Sequence, residues 1–205
     1  MSALRCLRTA AGCILWLWAV AAFAEIRLPS AISDHAVLQR ERPIHIWGWA
    51  TPSAHLTARF HDQSAIAEAD NLGKWSLYLK PEAAGGPYTL TISGDGTQKR
   101  VEDLLVGDVW LASGQSNMEM PLEGFPYGQG AHILNEKQEI ANSANPRLRL
   151  LRIDQKPSDY PLNDIAAKWT QCTPDTAKGF SAVAYFFGRE IAGEENVPVG
   201  VIDST

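Results

Sequence analysis

The hydrophobic period of this chain changes once, near residue 100, and that change limits the folds the chain can adopt. From Glu25 to about Arg100, short runs with a period of two alternate with turn segments rich in glycine and proline. The runs recur about every ten residues, and "IHIWGWA", "HLTARF" and "WSLYL" are examples. This pattern predicts an antiparallel β-sandwich for residues 25–103.

After about Val101, strand patterns alternate with helical ones. Continuous apolar runs predict strands at "LLVGDVWLAS", "RLRLLRI" and "VPVGVIDS". Helical spacing predicts helices at "HILNEKQEIANS" and "SAVAYFFGREIAGEEN", the latter with Ser181 as its N-cap. The order predicts a parallel α/β sheet for residues 104–205, with a long loop over 154–180.

Trp47 and Trp49 are two positions apart, so they would share one face of their strand, with Gly48 on the other. Such a pair can stack on a sugar ring, but core packing is the commoner role of tryptophan at this composition. We therefore expect Trp47 and Trp75 to pack in the core of the sandwich.

The first 24 residues are typical of a secretory signal peptide. Arg5 and Arg8 precede an uncharged apolar stretch that ends at the small-residue site Ala22-Phe23-Ala24. The apolar stretch is about sixteen residues, shorter than the roughly 20 of a membrane-spanning helix. We expect cleavage after Ala24, export to the periplasm or the extracellular medium, and no stable membrane insertion of the mature chain.

Charge and cysteine content exclude several classes of protein. Without residues 1–24, which hold two arginines and no acidic residue, the formal charge changes from −5 to −7, which disfavours nucleic acid as a partner. Cys172 then has no intrachain partner and is expected to be a buried, inert thiol. The five histidines are scattered and no metal-ligand motif occurs, so we expect no metal and no cofactor.

Ser116 is the strongest candidate for chemistry. It follows the apolar strand in "GDVWLASGQSNMEMPL", at the strand end where α/β folds place ligands. The spacing Ser116-x-x-Glu119 also matches a capping box, so a helix cap and a nucleophile both remain open at this point. The serine-hydrolase elbow G-x-S-x-G is absent.

The run "VGDVWLASGQSNMEMPL" resembles the first motif of the sialate O-acetylesterases, carbohydrate esterases of the SGNH (GDSL-type) hydrolase superfamily. "ISDHAVLQRERPIHIWGWA", "GKWSLYL", "GGPYTLTISG" and "FSAVAYFFGREI…NVPVGVIDST" resemble the same family in the same order. The resemblance implies a flavodoxin-like hydrolase domain after the sandwich, with Ser116 as nucleophile and its own amide as one oxyanion donor. Gly114, Gln115 and Asn117 would support the nucleophile turn. The implied substrate is an O-acetylated sugar or glycan, cleaved through an acetyl-serine.

The family's D-x-x-H motif, which supplies the general base, does not occur, since no Asp is followed three residues later by His. The sequence stops at "VIDST", just before the W-G-G-T stretch of the family. We therefore expect a hydrolase domain truncated on its C-terminal side and inactive by itself. His132 is expected on the surface of a helix, and Asp203 and Ser204 at the same sheet edge as Ser116, in strand-end hydrogen bonds or lining the pocket.

Two other functions remain open on the sequence alone. A non-catalytic carbohydrate-binding or adhesion protein would use the sandwich to hold a glycan, with Ser116 only as a cap. A degenerate, inactive esterase is the other. The acyl-bearing sugar is also open, and acetylated plant polysaccharide fits as well as sialate.

Overall fold

The computed structural model describes residues 25–125 and 131–205, so the expected signal peptide lies outside the described residues. The strands are β1 (Val37–Gln39), β2 (Ile44–Trp49), β3 (His55–Phe60), β4 (Gln63–Glu68), β5 (Lys74–Leu79), β6 (Gly85–Gly94), β7 (Thr97–Ser113), β8 (Asn145–Arg152), β9 (Trp169–Cys172) and β10 (Val199–Ser204). The α-helices are α1 (Glu136–Ala141), α2 (Pro174–Ala177) and α3 (Ala182–Glu194), and a 3₁₀ turn spans Ser116–Met118.

One long strand organises the mixed sheet. The strand order is β4-β3-β6-β7-β10-β8-β9, with β1 beside β7, and β2 and β5 form a separate antiparallel pair. The first part of β7 pairs antiparallel with β6, and its last part, Asp108–Ser113, pairs parallel with β10. The boundary predicted between residues 103 and 104 therefore falls inside a continuous strand.

The predicted parallel arrangement is confirmed for β7, β10 and β8. The loop predicted over 154–180 is wrong in part, because it contains β9, which is antiparallel to β8, and helix α2. Trp169 and Cys172 anchor β9 by burial, and Thr173 caps α2 through hydrogen bonds with Thr176. The prolines and glycine of this segment indicated a loop, but the burial of Trp169 and Cys172 in the tertiary structure stabilises a strand there.

The first hydrophobic core lies between the β2–β5 pair and the larger sheet. Ile46 and Trp75 from the pair meet Phe60 and Leu90 of the larger sheet in a single buried cluster. Trp169, from the second half of the chain, belongs to the same cluster. A separate β-sandwich domain is therefore not confirmed, because both β7 and this core continue into the second half.

The expected core position of Trp47 is confirmed only in part, because Trp47 packs against the first core but is half-buried. Ile44, Ile46 and Gly48 are the buried residues of β2, whereas Trp47 and Trp49 are half-buried on its outer face. Gly48 lies so close to its neighbours that a Cβ there would collide with the Arg27 carbonyl oxygen and lie 3.1 Å from Trp75 Cζ2. Trp75, which is 4% exposed, has the expected core position.

A charged cluster around Asp103, here called the Asp103 junction, joins the two halves. The Asp103 carboxylate accepts hydrogen bonds from both Nη atoms of Arg149 (2.6 and 3.0 Å) and from Gln171 Nε2 (2.8 Å), and His35 Nδ1 lies 2.7 Å away. Partial burial would raise the pKa of Asp103, but its bonds to Arg149, His35 and Gln171 outweigh burial and lower the pKa to about 2. The junction thus connects the segment before β1 with strands β7, β8 and β9.

The second core lies under α3. Ser181 is the N-cap as predicted, since its Oγ accepts a hydrogen bond from the Ala184 amide at 3.3 Å. Cys172 is buried, as expected, and burial raises the pKa of its thiol to about 12. In the described part of the chain, every helix is too short or too polar to cross a membrane.

Candidate active site

Ser116 lies in a tight turn directly after β7. Gly114 has φ = 151° and Ser116 has φ = 61°, so both adopt backbone conformations that side chains disfavour. At Gly114, a Cβ would lie 2.9 Å from Met118 Cγ, which explains the glycine. The turn therefore needs glycine at one position and accepts strain at the serine.

The Ser116 side chain is exposed and donates a hydrogen bond to Gln115 Oε1 at 2.6 Å. The capping box that the spacing left open is not formed, because Gln115 is the N-cap residue of the 3₁₀ turn and no side chain caps it. An N-cap residue needs an extended backbone, whereas Ser116 is left-handed. The Ser116 hydroxyl therefore does not cap a helix, and capping does not account for a serine at this position.

Backbone amides beside this hydroxyl are also free. The turn is closed by the Met118 amide on the Gln115 carbonyl (3.3 Å) and the Glu119 amide on the Ser116 carbonyl (3.1 Å). Among residues 25–125 and 131–205, the amides of Ser116 and Asn117 donate to no acceptor. Amides of this kind next to a nucleophile can stabilise a negative oxygen.

The end of β10 lies at the same edge of the sheet, as predicted. Ser113 Oγ donates to the Ser204 carbonyl at 2.9 Å. Asp203 is 2% exposed; its Oδ1 accepts from Thr205 Oγ1 (2.8 Å) and its Oδ2 from the Ser181 amide (3.4 Å). These contacts correspond to the strand-end hydrogen bonding that the sequence favoured.

A cleft of about 390 Å³ opens beside the serine turn. Glu119 lines it from the turn and accepts a hydrogen bond from Gln155 Nε2 at 2.7 Å. Arg152, Asp154 and Thr205 line it from the ends of β8 and β10. The sequence did not point to Arg152 or Gln155, because neither has a motif and the sheet brings them to this edge.

His132 is exposed, as expected, but the helix predicted around it begins only at Glu136. Its Nδ1 lies 2.7 Å from Glu136 Oε2. Within the described residues no hydrogen bond joins His132 to Ser116. The structure thus gives His132 a carboxylate partner in Glu136.

A second histidine–carboxylate group lies in the first half of the chain. His61, Asp62 and Glu82 bring three possible ligand atoms within 4.8 Å of one another. Sequence analysis did not identify this group, because Glu82 is distant from His61 in the chain and the strand arrangement brings the two together. Glu82 also accepts a hydrogen bond from Gln63 Nε2 at 2.9 Å, so hydrogen bonding within the protein accounts for part of the arrangement.

Comparison with known proteins gives the chain relatives over most of its length. Proteins named sialate O-acetylesterase from Pongo abelii and Homo sapiens are each 32% identical to it over 215 residues, which is 93% of this chain and 39% of theirs. The crystal structure of a carbohydrate acetylesterase from Xanthomonas citri matches with a TM-score of 0.79 and 39% identity, over 86% of this chain and 39% of that one. The resemblance to the sialate O-acetylesterases is confirmed.

No family model matches the chain. The chain spans about 39% of the length of the sialate O-acetylesterases named above. Because the similarity covers 93% of the chain, it takes in both hydrophobic cores. The similarity thus extends well beyond the short motif around Ser116, and the structural match to the Xanthomonas citri carbohydrate acetylesterase covers 86% of this chain.

Proposed function

We propose that this chain carries the nucleophile of an exported carbohydrate O-acetylesterase. The observation that carries the proposal is the exposed hydroxyl of Ser116, held in a left-handed turn at the end of β7. Backbone strain of this kind clusters at functional sites. The similarity to sialate O-acetylesterases supplies the class of reaction.

In the proposed reaction, Ser116 Oγ attacks the acetyl carbonyl carbon and loses its proton to a general base. The bond from the acetyl carbon to the sugar oxygen then breaks, the sugar oxygen takes up a proton, and acetyl-serine remains. Water hydrolyses this ester and restores the hydroxyl. The backbone N–H groups of Ser116 and Asn117, which have no acceptor among the described residues, would stabilise the negative oxygen of the tetrahedral intermediate in both steps.

Gln115 holds the hydroxyl before reaction, since Ser116 Oγ donates to its side chain. For attack, the Ser116 hydroxyl must instead donate its proton to a general base. We assign the base to no residue of the chain, because the D-x-x-H spacing is absent from the sequence and His132 is engaged with Glu136. Gly114 would keep the turn tight enough to present the hydroxyl.

We also propose a domain arrangement and an exported location for this protein. The sheet that ends at Ser116 would be the start of an SGNH-type hydrolase domain, preceded by a β-sandwich that shares β7 with it. The charged, apolar and small-residue segments of residues 1–24 support export. The substrate would be an O-acetylated sugar or glycan.

The test is a fluorophosphonate probe on the protein expressed from its complete reading frame. Such probes label only activated serines, and peptide mass spectrometry locates the modified residue. We expect labelling at Ser116, with loss of labelling in Ser116→Ala and retention in Ser113→Ala. A folded protein that remains unlabelled at Ser116 and hydrolyses no acetylated sugar would instead support the non-catalytic glycan-binding alternative.

A further inference from the structure

The outer face of the β2–β5 pair carries an unusual set of side chains. On β2 this face holds the exposed His45 and the half-buried Trp47 and Trp49, and Trp47 also packs in part against the first core. On β5 their cross-strand partners are Tyr78, Ser76 and Lys74, respectively. Because Ser76 is small, it leaves space opposite the large indole of Trp47.

The rings on this face are held in place by one another. The His45 ring stacks on Trp47, with ring centres 4.9 Å apart, and on Tyr78, with ring centres 4.5 Å apart. The Arg27 guanidinium lies 5.3 Å from the centre of the Trp49 ring. Each indole therefore has one neighbour that fixes it, and little side-chain entropy remains to be lost on binding.

His45, Trp47 and Trp49 line a cleft of about 510 Å³ that combines aromatic and polar groups. Its polar lining residues include Glu68, Asp70, Lys74 and Asn163. Among residues 25–125 and 131–205, the side chains of Glu68, Lys74 and Asn163 have no hydrogen-bond partner, so they are available to a ligand.

We propose that this cleft binds a pyranose ring of a neutral oligosaccharide, apart from the esterase site. A pyranose has apolar C–H faces that stack on indoles and a rim of hydroxyls that pair with carboxylate, amide and ammonium groups. A purely apolar ligand would leave the polar lining unpaired. An anionic sugar would meet two carboxylates, Glu68 and Asp70, against one ammonium, Lys74.

The cleft shares no lining residue with the cleft beside Ser116. It would therefore hold the glycan chain rather than take part in the chemistry. Binding needs neither the Ser116 hydroxyl nor an acetyl group, so the proposal stands or falls independently of the proposed function.

Titration of the full 205-residue chain with xylohexaose, cellohexaose and mannohexaose tests the proposal, with binding measured by calorimetry and by the NMR signals of the indole N–H groups. We expect at least one neutral hexasaccharide to bind more tightly than an oligogalacturonate of the same length. Trp47→Ala should weaken binding by about tenfold or more, and Trp47→Phe, which keeps an aromatic face, by much less.

Trp110→Ala is the matched control, because Trp110 is a solvent-accessible tryptophan that lies on β7 against Phe187, outside the proposed cleft. Thermal unfolding confirms that each variant is folded. Ser116→Ala should bind as tightly as the unmodified chain. The proposal is overturned if no neutral hexasaccharide binds at millimolar concentration, if folded Trp47→Ala binds normally, or if the oligogalacturonate binds best.

Discussion

Strand β7 and the turn after it contain two non-glycine residues in the left-handed region, Asp103 with φ = 54° and Ser116 with φ = 61°. Their surroundings differ in every other respect. Asp103 accepts hydrogen bonds from Arg149 and Gln171 and lies beside His35, at the place where the two halves of the chain meet. Ser116 is exposed, and within residues 25–125 and 131–205 its hydroxyl makes one hydrogen bond, to the side chain of Gln115.

Under our proposal, this difference means that β7 contributes to stability at one end and to catalysis at the other. The strain at Asp103 is offset by charge-assisted hydrogen bonds, which are about twice as strong as neutral ones. No comparable set of partners surrounds the Ser116 hydroxyl, so the neighbouring fold must hold its strained turn. A residue that is free of structural partners can be exchanged with little effect on folding and, under our proposal, a very large effect on catalysis.

Under our proposal, the largest effect is expected for substitution of Ser116. In the protein expressed from its complete reading frame, Ser116→Ala should lower kcat/KM for an acetylated sugar by at least about 10⁴-fold, because the attacking atom is lost. Its free energy of unfolding should change by less than about 1 kcal/mol, since no partner is orphaned. Activity is measured by acetate release, with Ser113→Ala as the control; a Ser116→Ala protein of normal activity would remove Ser116 from the mechanism.

The next effect is expected at the Asp103 junction. Asp103→Ala should lower the free energy of unfolding by about 3–5 kcal/mol, because Arg149, whose side chain is 3% exposed, would be left buried and unpaired. Asp103→Asn, which keeps a residue tolerant of the left-handed backbone, should cost less. Denaturant unfolding measures both changes.

The neighbouring residue provides the control for the junction. Glu102 pairs with Arg100, and both side chains are more than half exposed. Glu102→Ala should therefore change the free energy of unfolding by less than about 1 kcal/mol. If the Asp103 and Glu102 variants were equally stable, the junction would not be the stabilising end of β7.

A smaller effect follows from the lowered pKa of Asp103, about 2 against an ordinary value of 3.8. A carboxyl group with a depressed folded-state pKa stabilises the fold above its unfolded-state pKa and loses that contribution as the pH falls through the folded-state pKa. We expect about 2 kcal/mol of stability to be lost between about pH 4 and pH 2. Unfolding curves at several pH values should show this loss in the unmodified chain and not in Asp103→Ala, and parallel profiles would contradict it.

The smallest effect concerns the strain at Ser116 itself. Ser116→Gly should raise the free energy of unfolding by up to about 1 kcal/mol, because glycine adopts the left-handed conformation without a Cβ penalty. Asn117→Gly, at the next position, should instead lower it by about 0.5–1 kcal/mol, because Asn117 does not have a positive φ. Thermal unfolding of the two variants decides; equal destabilisation by both would mean that the turn stores no strain.

Much of the local structure was predictable from sequence. The period-two runs predicted the strands of the first half, and the helical spacing with Ser181 predicted α3 and its N-cap. The position of Ser116 at the end of an apolar strand was also predictable, because "LLVGDVWLAS" ends three residues before it. These features depend on neighbouring residues, whose side-chain direction follows directly from strand or helix geometry.

Other features could not be predicted because they depend on residues far apart in the chain. The pattern of β2 shows that Trp47 and Trp49 share a face, but only the sheet as packed on Trp75 shows that Gly48 takes the inner one. Strand β9 was missed because the burial of Trp169 against residues of the first half defines it. The Asp103 junction was missed for the same reason, since its members come from four separate segments.

The sequence by itself determined the strand and helix periods, the glycine- and proline-rich turns of the first half and the family resemblance, since each depends on residues that are close together in the chain. The tertiary structure alone decided that one strand, β7, belongs to both halves of the mixed sheet, and that Ser116 adopts a left-handed backbone instead of capping a helix. The tertiary structure also decided that Asp103 pairs with Arg149 and which side chains of β2 lie on the outer face of the strand pair. The physical reason is that burial and pairing are properties of contacts between distant segments, and such contacts form only when the whole sheet assembles.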